Sequence, residues 1–197
     1  LSFGFLTTLY FMTNGFMTMM RGFNTSYHIA ESRPPWKQRL TALVITLSLS
    51  SLTVIATTLY LISKRSIEFL AARHILKSKT TVGMLLLGNW IVVLAFIFFA
   101  ISFLYYYAPA VKKRWRFVSP GSTFATLLSV VFSTGFAYFV NNFGRYNKVY
   151  GSIGTIIVVM LWIYFNSVSL ILGFELNASI DNAKRKDRKS TRLNSSH

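Results

Sequence analysis

The sequence predicts an all-α protein, a polytopic helical bundle set in a membrane, and three observations carry that prediction. Of its 197 residues 53% are hydrophobic and only 13% charged, about half the charged fraction of an ordinary soluble domain. Lys and Arg outnumber Asp and Glu by 21 to 5, for a net charge of +16. These cations fall in short bursts between long apolar runs, the arrangement of loops flanking membrane spans and not of a nucleic-acid-binding face. Finally, the apolar runs do not alternate in the manner of outer-membrane strands, whereas helices satisfy their own backbone in lipid.

A span needs about 20 mainly apolar residues, and five stretches qualify within a single domain covering residues 1–183. The first, Leu1–Met20, is the weakest, being rich in Thr and interrupted by Asn14-Gly15. It opens inside an apolar run without a Met, so a preceding segment is expected. The second is Leu40–Ser63. The stretch after it, KRSIEFLAARHILKSK (Lys64–Lys79), has Ile67, Leu70, Ala71 and His74 on one helical face. It reads equally as a helix along the membrane surface or as a solvated connector. Gly83–Tyr107 and Gly151–Asn177 are the strongest spans, with Gly121–Val140 between them. Residues 184–197 form a polar tail. Its last eleven, DRKSTRLNSSH (Asp187–His197), resemble the conceptual translation of a sequencing-library adapter, so they are set aside from the fold.

Orientation follows from the loops. The side carrying loop 21–39, loop 108–120 and the tail up to Lys186 holds 11 Lys and Arg, and the opposite side holds 7. The positive-inside rule then places the C-terminus in the cytoplasm.

Small residues recur every fourth position at Ala125, Ser129, Ser133 and Ala137, and again at Ser169, Gly173 and Asn177. Such stripes let helices approach closely in lipid, within one chain or between copies in a homo-oligomer.

Two places stand out as candidate sites. Glu175, with Asn177 beside it, is the one acidic residue inside an apolar span; a carboxylate at that depth needs a partner and marks a site by default. It is expected to face the bundle interior, towards loop 21–39 or Arg114–Ser122. The second place is the segment YYYAPAVKKRWRFVSPGSTFAT (Tyr105–Thr126). Its tyrosines and Trp115 suit the interface, and Pro109 ends the third helix. Ser119 makes an N-cap with Pro120 at the first helical position. The backbone N–H groups of Gly121 and Ser122 are then expected to point outward beside Arg114 and Arg116, as a site for a lipid phosphate. Plain anchoring by the same cations is the competing reading.

Chemistry of other kinds finds no support. There are no cysteines. Only His28 and His74 lie outside the tail, and Glu31, Glu68, Glu175 and Asp181 are scattered in sequence, so no metal centre or acid–base cluster is expected. Neither a nucleotide-binding glycine pattern nor a nucleophile elbow is present. The expectation is a protein without enzymatic activity or cofactor, whose partners are membrane lipids and not nucleic acid.

The stretches NGFMTMMRGFNTSYHIAESRPPWKQR (Asn14–Arg39), GNW (Gly88–Trp90), Tyr105–Thr126 and NFGRYNKVYGSIGTIIVVMLWIYFNSVSLILGFELNASI (Asn142–Ile180) resemble the YihY/BrkB family of bacterial inner-membrane proteins. That resemblance implies six spanning helices, one of them absent here, and cytoplasmic termini. The family carries a virulence-factor label and an older ribonuclease BN label, and it implies a transporter-like role in the cell envelope, handling an anionic lipid or other amphipath. The alternative is a membrane scaffold or assembly factor that transports nothing. The ribonuclease reading fits poorly with the residues above.

Overall fold

The structure is a computed structural model that describes residues 2–27, 29–73, 79–110, 116–142 and 147–194. Five helices follow one another: α1 (Ser2–Ser26), α2 (Pro35–Ala72), α3 (Lys79–Tyr107), α4 (Pro120–Asn142) and α5 (Asn147–Asn194). Among the described residues no strand occurs. Among the described residues four helices, α2 to α5, contain stretches long and apolar enough to cross a membrane, at Pro35–Leu70, Thr80–Tyr107, Pro120–Asn141 and Gly154–Lys184. With 25 residues α1 is long enough, but Thr7, Thr8, Thr13, Asn14 and Thr18 dilute its apolar character, so it does not join the four.

Two boundaries differ most from the sequence reading. The second helix is unbroken through Lys64–Ala72, so the basic stretch there prolongs a span and is not a separate surface helix. Ile67 is buried, and Lys64 pairs with Glu68 at 4.0 Å one turn on, both exposed. The polar tail continues α5 as helix to Asn194. Neither Pro nor Gly interrupts KRKDRKSTRLN, and its Lys and Arg residues favour helix.

Several hydroxyls of the spans are disposed of locally. Those of Thr46, Thr53, Thr126 and Ser169 donate to the carbonyl four residues earlier at 2.8–3.0 Å, which removes the cost of carrying an unpaired polar group in an apolar surrounding.

The chain divides into two compact units. One comprises Leu1–Met20 and Ser32–Ala108, the other Arg21–Glu31 and Pro109–His197. In the first, α2 packs on α3. A shallow apolar cavity of about 360 Å³ lies between them, lined by Leu52, Ala56 and Tyr60 of α2 and by Trp90, Ile97 and Ala100 of α3. Arg33 donates to the carbonyl of Ala108 at 2.9 Å, closing the C-terminus of α3, where a cation is favoured by the helix dipole. In the second unit α4 packs on α5. Their register is antiparallel: Gly121 meets Gly173 and Asn177, while Phe132 stacks on Phe165 at 5.3 Å and Trp162 donates to Ser133 at 3.3 Å.

Candidate functional site

The start of α4 is built as its sequence suggests, and then closed by a residue from far along the chain. Ser119 precedes Pro120 and its Oγ accepts from the Ser122 N–H at 3.2 Å, an N-cap bond that satisfies one of the four donors every helix start leaves open. The next donor, the Gly121 N–H, goes to Oδ1 of Asn177 at 2.8 Å, and Asn177 Nδ2 donates to Ser119 Oγ at 2.8 Å. One amide of α5 thus serves both the cap residue and the helix start. Ser119, Ser122 and Asn177 are all buried.

The expectation of outward-pointing N–H groups at Gly121 and Ser122 is therefore corrected: both donors are taken inside the unit. The cause is the small-residue stripe. A Cβ on Gly121 would sit 2.0 Å from the Gly173 carbonyl oxygen and 2.6–2.7 Å from the Asn177 side chain, so only glycine allows the backbones this close. Ala125, Ser129, Ser169 and Gly173 are buried along with it, whereas Ala137, at the other end of the α4 stripe, is exposed. Arg116 is exposed, and Arg114 lies outside the described residues.

Glu175 is exposed and does not face an interior. Its flanking positions Phe174 and Asn177 turn inward, so a helix period of 3.6 sends Glu175 outward. Its Oε1 accepts from Ser26 Oγ at 3.5 Å, so a polar neighbour from segment 21–39 is present, though of a kind that offers a weak contact.

Three of the four acids scattered in sequence, Glu31, Glu175 and Asp181, each meet a residue at the end of α1. Asn24 Nδ2 donates to Glu31 at 2.7 Å, and Asn24 Oδ1 accepts from the Ala110 N–H at 2.8 Å. Ser26 reaches Glu175, and the Tyr27 hydroxyl donates to Asp181. Between these polar contacts Phe23 stacks on Phe174 with centroids 4.4 Å apart, both fully buried. Sequence reasoning missed Asn24 and Tyr27. The available signal was their spacing of three on one helical face, next to a Phe. Among the described residues no group of three or more His, Asp or Glu is placed to hold a metal ion; His28 and His74 lie outside the described residues.

The sequence model of the family described as "Virulence factor BrkB" matches residues 1–196. The chain belongs to the BrkB family. A ribonuclease-like protein of Bacillus subtilis (strain 168), YfkH, is 34% identical over 185 residues, 94% of this chain and 67% of that protein. A UPF0761 membrane protein of Tolumonas auensis is 35% identical over 80 residues, 41% of this chain and 26% of that protein. Another, of Xanthomonas campestris pv. campestris (strain B100), is 32% identical over 83 residues, 42% of this chain and 20% of that protein. No solved structure matches. The BrkB chain is thus an integral, multi-pass membrane protein, with four helices able to span.

Proposed function

We propose that this BrkB protein is a transporter-like component of the bacterial inner membrane that handles an anionic lipid or other anionic amphipath, without enzymatic activity of its own. The observation that carries the reading is Glu175, a carboxylate within the span Gly154–Lys184, exposed and within reach of the Ser26 hydroxyl. An ionisable side chain at such a position is costly and rare unless it serves a pathway or a partner. Because the α4 start is occupied by Asn177, the anionic head would be met by the side chains of Arg114 and Arg116 and not by free backbone donors. The loop charges orient the C-terminus to the cytoplasm: a reporter fused after Ala183 should read as cytoplasmic and one inserted near Asn142 as periplasmic. Reconstituted vesicles test the activity. Lipid-flip or ion flux that is present in the parent protein and lost in Glu175→Gln at unchanged insertion supports it; absence of any flux in the parent protein counts against it.

A second reading, a scaffold that moves nothing, is favoured by one feature: the buried Ser119–Gly121–Asn177 contact is closed by its own groups. The small-residue stripes of α4 and α5 are buried over most of their length, so a homo-oligomer formed on them would use the Ser133–Ala137 end.

A further inference from the structure

Within the Leu1–Met20 and Ser32–Ala108 unit, α1 and the first turns of α2 flank an open cleft of about 520 Å³, inside the range of sites that hold small amphipathic ligands, about 300–1,000 Å³. Its chemistry is divided. Leu6, Leu9, Leu40 and Leu43 supply apolar wall, while Arg39 and Trp36 also line it. Leu6 and Leu40 remain 62% and 52% exposed, so the chain itself does not fill the space. The Arg39 guanidinium sits 5.6 Å over the Tyr10 ring, and Lys37 sits 5.3 Å over the ring of Trp36. Both cations are thereby steered by aromatic faces at the first turns of a candidate span that begins at Pro35, the level at which Trp, Tyr and basic side chains meet headgroups.

We propose that this cleft is a binding site for a phospholipid with an anionic headgroup. An acyl chain lies along the four leucines, and the phosphate takes the forked donors of Arg39. Charge selects the occupant: an apolar helix would leave Arg39 facing hydrocarbon, and a free anion would leave the leucines bare. The site holds whether or not the protein moves lipid, and so stands apart from the transport reading.

Trp36 reports on it directly. The chain has four tryptophans; Trp90→Phe, Trp115→Phe and Trp162→Phe together leave Trp36 as the one emitter. The chain is reconstituted in phosphatidylcholine vesicles containing a minor fraction of phosphatidylglycerol, with bromine carried on the acyl chains of one lipid or the other at equal mole fraction. Brominated phosphatidylglycerol is expected to be enriched at Trp36 about fivefold, the preference one basic residue gives for an anionic lipid, and Arg39→Gln should bring the two lipids level. Equal quenching in the Arg39 protein overturns the proposal, as does a preference that survives Arg39→Gln. Trp36 quenched by neither lipid also overturns it and points to a second copy in the cleft. If the triple variant fails to insert, native mass spectrometry of the parent chain and Arg39→Gln decides: more retained phosphatidylglycerol on the parent supports the site, and equal retention refutes it.

Discussion

The α4–α5 seam and the α1–α2 cleft both lie between two helices near a helix start rich in polar residues, and they are finished in opposite ways. At the seam, glycine and serine let the backbones touch, so that Gly121 lies against the Gly173 carbonyl and Asn177 satisfies donors that lipid could not. At the cleft, leucines and aromatics line an open space of about 520 Å³ between α1 and α2. Lipid offers no hydrophobic drive for helix association, so contact requires small residues and hydrogen bonds. Where the side chains are large, space remains for lipid itself. Side-chain size at the contact, more than polarity, separates a closed joint from an open one.

Gly121→Ala breaks the closed joint most severely. The new methyl would overlap the Gly173 carbonyl, a backbone atom that cannot swing away, so a loss of about 3 kcal/mol is expected, the upper part of the overpacking range. Gly135→Ala on the same helix is the control: nothing lies within 4 Å of its Cβ position, and stability should hold or rise by up to about 1 kcal/mol. Unfolding of the two variants in detergent micelles measures the difference. Equal losses would show that the helices do not approach at Gly121.

Asn177→Ala comes next. It strands the Gly121 N–H and removes one partner of Ser119 Oγ while leaving the backbone in place, at a cost of about 1–3 kcal/mol. Ser119→Ala removes the cap and costs about 0.5–2 kcal/mol. The two groups form one network, so the double variant should lose less than the sum, with a coupling of at least about 0.5 kcal/mol. Strict additivity would dissolve the joint into two unrelated contacts. Arg39→Gln, at the open cleft, should change stability by no more than about 0.5 kcal/mol in the same assay.

The two places differ also in how far the sequence discloses them. Helix class, the α3–α5 spans and the Ser119-Pro120 start follow from local pattern, because caps and apolar runs are properties of neighbouring residues. The capture of the Gly121 N–H by Asn177, 56 positions away, is not local, and without it the helix start reads as an open anion site. The same holds for the acids: Glu31, Glu175 and Asp181 look scattered until Asn24, Ser26 and Tyr27 bring each of them to the end of α1. The length of α2 was obscured by Lys64, Arg65 and Glu68, whose charges mark the end of an apolar run without ending the helix, since the Lys64–Glu68 spacing is itself helical. In the cleft, α1 supplies Leu6 and Tyr10 from a stretch whose threonines make it a weak span, and only the fold shows that it meets Arg39.

Glu175→Gln gives the smallest expected change in stability and the sharpest test of what the carboxylate is for. Its side chain is exposed and its contact with Ser26 is 3.5 Å long, so exchanging the carboxylate for an amide of the same shape should cost no more than about 0.5 kcal/mol. A structural ion pair buried in the bundle would instead cost about 3–5 kcal/mol when one partner is removed. Ser26→Ala should match Glu175→Gln in stability, and the double variant should show the sum of the two small changes if the hydroxyl is merely a neighbour. Flux in reconstituted vesicles then divides the roles. If the charge serves transport, Glu175→Gln abolishes flux while Ser26→Ala, which keeps the carboxylate, retains most of it. Flux that survives Glu175→Gln removes the carboxylate from the mechanism, and a stability loss of several kcal/mol would place Glu175 with the closed joint instead of with the open surface.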